Sequence, residues 1–290
     1  MSVQMEDGGN RILVVVHVYY PELWQELAGC LRVIREPHDL VITYVDEAAV
    51  REARSDFPSA RFIRCENRGY DVWPFLRALR ETGLDGYGVV VKLHTKRDVG
   101  KELLMNHTWL SDSHWRRHLL SFLGSPRAWA KTLARLESDG IGLVADRHVV
   151  FDREEAGPAY VGSFDRAKRE IEGLVGGPFP SEDLYVGGTM FAARTAPLRL
   201  LLRRGFTADM FEESAGHDRE TYAHVVERML GLCVSAARLR IVAWNGSLRW
   251  RRLYYSKTPL GRLLRFVYQS RIRDWRLTVK VFGITVLTRT

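Results

Sequence analysis

The chain has 290 residues, 46% of them hydrophobic, enough to bury one sizeable core or a core with an appended piece. Its three cysteines, Cys30, Cys65 and Cys233, are scattered and form no CxxC, which argues against a disulfide scaffold or a thiolate zinc site and for a reducing compartment. The net charge of +8 is uneven: residues 249–290 hold eleven Lys or Arg against one acid, Asp274, while 1–248 has a net charge of −2. This excludes a protein with a wholly basic nucleic-acid face and points to a local contact with something anionic. It also divides the chain into an expected catalytic domain, 1–248, and a basic amphipathic tail, 249–290.

RILVVVHVYY (11–20) is a nearly unbroken β-branched run, as expected of a parallel strand covered on both faces. PELWQELAGCLRVIRE reads as a helix with Pro21 in its first turn. Strands are expected at 39–47, 60–66 and 87–96, with a helix at 72–83 closed by Gly83. That rhythm is of a layered α/β domain, whose ligands sit beyond the carboxyl ends of its strands. Two helical patterns follow within 113–139, then a short strand at 139–146. Residues 152–184 show weak periodicity and read as an irregular lid or a disordered stretch. A strand at 185–195 and helices at 196–205 and 217–231 complete the body. In the tail, PLGRLLRFVYQSRIRDW places Leu and Val on one side among arginines, the pattern of an interfacial helix on anionic lipid. No run reaches the roughly 18 apolar residues of a spanning helix, and MSVQMEDGGN has no signal-peptide pattern. A cytoplasmic location at the inner face of the cell membrane is expected.

Polar residues gather at the expected strand ends: His17, then Asp46, then Glu66 and Asn67, then Lys92 through Lys96. In ENRGYD, Gly69 permits positive φ or close approach to a ligand, and Asp71 is placed to cap the next helix. A lysine within a buried strand needs a partner. Lys92, His94 and Lys96 share one strand face by the period of two, a cationic patch suited to a diphosphate, or a solvated strand end paired with Asp98. Gly188 and Thr189, in YVGGTMFAAR, mark either close contact with a ligand or a tight turn. In HDRETYAHVVER, Asp218 is either the helix N-cap or a catalytic group, and His224 and Glu227 share a face with Thr221. The spacing of His217 and His224 does not match HExxH, so a metalloprotease is not expected.

HVYYPELW, ENRGYDVWPFL, VVKLHTKR, GGTMFAAR and HDRETYAHVVERM occur in this order across about 215 residues, and together they resemble the successive motifs of the rhamnan synthesis F family. The resemblance implies a GT-A-like α/β fold, with a mostly parallel central sheet flanked by helices. It further implies a nucleotide-sugar transferase of bacterial cell-surface polysaccharide assembly. On that basis His17, Asp46, Asn67, Gly69 and Asp71 are expected to hold the nucleotide. KLHTK stands where other members of the fold carry Asp-x-Asp metal ligands. With Lys92, His94 and Lys96 in that place, metal-independent transfer and no cofactor are expected, with Mg²⁺ or Mn²⁺ as the open alternative through Asp98. The resemblance makes Asp218 the first choice for general base in an inverting transfer, with Glu227 in reserve. It makes dTDP-L-rhamnose the expected donor and a lipid-linked glycan the expected acceptor. The competing readings are a nucleotidyltransferase or phosphotransferase using the same cationic loop, and a non-catalytic assembly component with the same fold.

Overall fold

The computed structural model describes residues 11–97, 103–105, 108–110, 112–153, 161–214, 220–248, 253, 258–273 and 276–289. The chain opens with β1 (Arg11–Val18), whose Leu13, Val14 and Val16 are fully buried. A 3₁₀ turn at Pro21–Leu23 leads into α1 (Trp24–Leu31), shorter than the helix expected over 21–36. Then come β2 (His38–Tyr44), α2 (Arg51–Asp56), β3 (Arg61–Arg64), α3 (Val72–Thr82) and β4 (Tyr87–His94). The sequence reading missed α2. Two parallel strands must be joined by a crossover, and the 3₁₀ turn Glu47–Val50 with α2 supplies it.

A hairpin of β5 (Leu103–Met105) and β6 (Thr108–Leu110) precedes α4 (Asp112–Leu120) and α5 (Pro126–Glu137). Next are β7 (Ile141–Ala145), β8 (Val150–Asp152), α6 (Val161–Val175), β9 (Leu184–Val186) and β10 (Phe191–Arg194). The expectation that 152–184 is irregular is therefore corrected. Its helix α6 buries Phe164, Ala167 and Ile171, an i, i+3, i+7 stripe obscured in sequence by the charges between. The strand expected over 185–195 is two short strands with the GGTM turn between them. The body ends with α7 (Thr195–Leu202), α8 (Tyr222–Ala236) and β11 (Arg240–Ala243), and α6 and α7 pack on α8.

Seven strands form the central sheet in the order β11-β7-β10-β4-β1-β2-β3. All neighbours are parallel except β10, which runs antiparallel to both β4 and β7. This is the mostly parallel, helix-flanked α/β class expected from sequence. The carboxyl ends of β1, β2, β4 and β7 thus lie along one rim, with the start of β10 among them. Beyond the body, α9 (Pro259–Val267) is followed by an antiparallel meander of β12 (Tyr268–Arg273), β13 (Arg276–Val281) and β14 (Ile284–Arg289). The tail forms a short helix plus a small sheet, where the spacing suggested one longer helix: the β-branched and aromatic residues after Val267 favour strands.

Candidate active site

The geometry of the rim is set by Lys92. It lies in β4 between β1 and β10, facing Val15 and Phe191 in register, and is 1% exposed. Its ammonium pairs with Asp71 Oδ2 and donates to Thr189 Oγ1 at 2.6 Å; Thr189 in turn donates to Asp71 Oδ2 at 2.5 Å. The Phe75 ring centroid is 5.3 Å from Nζ. A buried lysine is tolerated because its charge and donors are matched in this way. Asp71 occupies the N-cap position of α3 but makes no side-chain cap bond. The capping expected of it is corrected: its carboxylate turns inward to Lys92, an ion pair inside the fold outweighing a cap that water can replace. Burial pushes the Asp71 carboxyl up, but the nearby His94 and Lys92 and the two hydrogen bonds outweigh it and hold the group well below the usual carboxylate range. Burial lowers Lys92 from its ordinary value despite Asp71.

Two imidazoles flank this pair. His17, at the end of β1 and 5% exposed, has Nδ1 3.0 Å from Thr43 Oγ1. Because Thr43 donates to Val16 O at 3.4 Å, His17 Nδ1 is the donor. Burial pushes the His17 pKa down to about 4, with Asp71 opposing and Lys92 adding to the shift. His94 is also lowered well below its ordinary value, by burial first and then by Lys92, Lys96 and His17, against Asp71. Its buried Nδ1 lacks a hydrogen-bond partner among the described residues and lies 3.5 Å from Asp71 Oδ2. Both imidazoles are therefore neutral at pH 7, and Lys92 is matched by Asp71. The positive charge that the strand offers outward is that of half-buried Lys96, which has no carboxylate partner among the described residues. Thr95 fixes this end of β4 to β1 by accepting from the backbone N–H of Tyr19 and of Tyr20, both at 2.9 Å.

The turn of ENRGYD is fastened to a distant segment. Gly69 N–H donates to Glu212 O at 3.0 Å, Tyr70 N–H to Ser214 Oγ at 2.9 Å, and Ser214 N–H to Asn67 O at 3.0 Å. Gly69 has φ +61°, and a Cβ there would meet the Phe211 ring at 2.6 Å, so both backbone and packing require glycine. Asn67 is exposed, and Asp46 is an exposed N-cap accepting from Ala48 N–H at 3.0 Å.

On the other side of the cluster, the GGTM turn places Gly188 at φ +76°, where a Cβ would come 2.8 Å from Leu119. The Gly188 N–H donates to Glu227 Oε1 at 2.8 Å, and Glu227 pairs with buried Arg228. Arg228 Nη1 donates to His224 O at 3.0 Å and its guanidinium lies 4.6 Å over the Tyr185 ring. Thr221, not Asp218, is the N-cap of α8, and its N–H donates to His224 Nδ1 at 3.2 Å. Burial lowers the His224 pKa, with Glu227 opposing. Asp218 and Asp98 lie outside the described residues.

The structure thus gathers His17, Asp71, Lys92, His94 and Thr189 into one network, with Gly188, His224 and Glu227 beside it; Asp46 and Asn67 stay exposed on the rim. Sequence reading missed Thr43 and Ser214, which only long-range contacts bring in. It also missed a cluster around Asp146, which the strand-end rule that picked Asp46 would have found.

A divalent ion at the end of β4 would need carboxylates. Among the described residues the carboxylate meeting Lys92 and His94 is Asp71, and its Oδ2 is already in contact with an ammonium. The set does not fit such an ion.

Residues 2–239 match the family described as Rhamnan synthesis protein F. The chain is 26% identical over 263 residues to the uncharacterized protein WxcX from each of two strains of Xanthomonas campestris pv. campestris. That match covers 89% of this chain but 35% of WxcX, so the chain spans about a third of the length of these relatives. It also shows a likeness to the crystal structure of glucosyl-3-phosphoglycerate synthase from Mycobacterium tuberculosis in complex with Mn²⁺, UDP and glucosyl-3-phosphoglycerate. Identity is 14% and the TM-score 0.37, with 97% of this chain and 90% of that one covered.

Proposed function

We propose, from the premise that this chain belongs to the rhamnan synthesis protein F family, that its α/β body is a glycosyltransferase of cell-surface polysaccharide synthesis. The observation that supports this best is the network of Lys92, Asp71, Thr189 and His94 at the carboxyl end of a central strand, with Lys96 beside it as a cation unmatched among the described residues. Open α/β sheets bind ligands there. In this reading the donor is a nucleoside-diphosphate sugar, with dTDP-L-rhamnose as the candidate, and the acceptor is a hydroxyl of a lipid-linked glycan.

Asp218 takes the acceptor proton as its oxygen attacks the anomeric carbon. The bond to the diphosphate breaks, and the nucleoside diphosphate leaves with the electron pair, its charge met by Lys96. Inversion at the anomeric carbon follows from this single displacement. Glu227 is engaged by Gly188 and Arg228 and His224 by its helix cap, which leaves Asp218 as the preferred base. The Lys92–Asp71 pair orients this end of the site, and no divalent ion takes part in donor binding.

The tail supplies the membrane contact in this reading. Leu260, Leu263 and Phe266 of α9 are 50%, 55% and 57% exposed at spacing i, i+3, i+6, and Phe282, Ile284 and Val286 of the meander are also exposed. Apolar side chains among so many arginines suit an anionic lipid surface. Among the described residues no helix is long and apolar enough to cross a membrane.

The test is calorimetric titration of the purified chain with a panel of nucleoside-diphosphate sugars, with and without EDTA, followed by transfer assays. Binding of dTDP-L-rhamnose unchanged by EDTA is expected. Lys96→Ala should weaken it about 10- to 100-fold, as for loss of one charge-assisted hydrogen bond. Failure of the folded chain to bind any nucleotide sugar would sink the proposal.

A further inference from the structure

A second polar cluster lies on the same rim. β7 is separated from β4 by β10, so Asp146, the residue after β7, is about 10 Å across the sheet from β4 at two strand spacings. Asp146 is 1% exposed, yet donor atoms converge on it from three parts of the chain. The His148 amide at 2.7 Å and His148 Nδ1 at 2.8 Å meet Oδ1. Ser121 Oγ at 2.6 Å, Asn245 Nδ2 at 2.9 Å and His118 Nδ1 at 3.1 Å meet Oδ2. Each carboxylate oxygen offers about two lone-pair sites. The five donors exceed its four sites by one: Oδ1 is filled by the His148 amide and ring, and on Oδ2 the hydroxyl and the side-chain amide already suffice, so the His118 imidazole is surplus to its hydrogen-bonding needs. The ring centroids of the two imidazoles are 4.2 Å apart, and their side chains are 26% (His118) and 17% (His148) exposed above the buried carboxylate.

We propose that His118, Asp146 and His148 form a binding site for a first-row divalent cation such as Zn²⁺, distinct from the Lys92 network and independent of the glycosyl-transfer reading. Their ligand atoms lie within 4.8 Å of one another. His118 Nδ1 lies 3.1 Å from Oδ2 and His148 Nδ1 2.8 Å from Oδ1, each somewhat inside the ligand–ligand edge of about 3.4 Å expected of a tetrahedron with zinc–ligand bonds near 2.1 Å. Two imidazoles and one carboxylate leave at least one coordination position for water or an acceptor hydroxyl. Ser121 and Asn245 hold the carboxylate in place, as outer partners do at metal sites. Exposed Arg147 donates from Nε to His148 Nε2 at 3.3 Å, which places the proton of neutral His148 on Nδ1 when no cation is bound. Cation binding at Nδ1 moves that proton to Nε2 and ends the Arg147 contact to that nitrogen.

The experiment is titration of the chelator-treated full chain with Zn²⁺ and, separately, with Mn²⁺. One equivalent of Zn²⁺ should bind more tightly than Mn²⁺. His118→Ala and His148→Ala should each weaken Zn²⁺ binding about ten-fold or more, and Arg147→Ala should tighten it several-fold by removing a positive charge and a competing contact. Diethylpyrocarbonate labelling of the wild-type chain, read by mass spectrometry, gives an answer even if a variant folds poorly. Zn²⁺ should protect His118 and His148 and leave His38 unchanged. No Zn²⁺ binding, binding that both alanine variants leave within two-fold, or bound Zn²⁺ that leaves these two imidazoles unprotected would overturn the proposal. Loss of nucleotide-sugar binding bears on the Lys92 site alone.

Discussion

Burial of His17 predicts a specific loss of stability on mild acidification. Its folded pKa is about 4 against 6.5 for an exposed imidazole, with burial as the leading cause. Above pH 6.5 the ring is neutral in both folded and unfolded chains and contributes no pH dependence. Between pH 6.5 and 4 the unfolded chain takes up a proton that the folded one refuses, so stability falls as pH falls. The shift corresponds to about 3 kcal/mol over the whole window and about 2 kcal/mol by pH 5. His17→Asn keeps a donor toward Thr43 and removes the titration. Urea unfolding of both proteins from pH 7.5 to 5 should show the wild type losing about 2 kcal/mol more than the variant. Carboxylates common to both proteins cancel in that difference. Parallel pH profiles for the two would refute the reasoning, because they would mean that His17 is solvated or protonates in place.

Lys92→Met should destabilise the fold by about 3–5 kcal/mol, because it strands the Asp71 carboxylate beside Thr189 and His94. The double variant Lys92→Met with Asp71→Asn should cost less than the sum of the single changes; additive losses in denaturant titrations would show that the pair is not coupled. Gly69→Ala should lower stability by about 1–3 kcal/mol in the same assay through its positive φ and the Phe211 contact, and should disturb the 211–214 segment; a neutral effect would contradict the described turn. Asp218→Asn should abolish most transfer while sparing donor binding, and near-normal turnover would exclude it as the base. Replacing Leu263, Phe266 and Phe282 together by Ser should reduce sedimentation with vesicles containing phosphatidylglycerol and leave donor affinity unchanged. Undiminished sedimentation would rule out this face as the lipid contact.

The local pattern of the sequence determined the elements with strong periodicity: the buried valine run of β1, helix α3 closed by Gly83, and the strand ending in KLHTK. A period of two or 3.6 is a property of neighbouring residues, so it can be read without the fold. It also pointed to Lys92 as a buried lysine needing a partner, since the desolvation cost follows from the strand alone. What it could not supply was the partner's identity. Thr189, 97 positions later, meets Lys92 because β10 enters the sheet antiparallel beside β4, and Asp71, 21 positions earlier, reaches it from the start of α3. For the same reason the expected patch of three positive groups became a matched pair, two neutral imidazoles and a single outward cation at Lys96. Helix α6 and the N-cap at Thr221 escaped the pattern because packing on α8 and one local hydrogen bond outweigh weak propensities. Tertiary structure alone also brought His118, from a helix, to Asp146 and His148 at a strand end 28 residues on. Residue chemistry and periodicity thus fixed which groups would be costly to bury, while the order of strands in the sheet decided which groups would neutralise them.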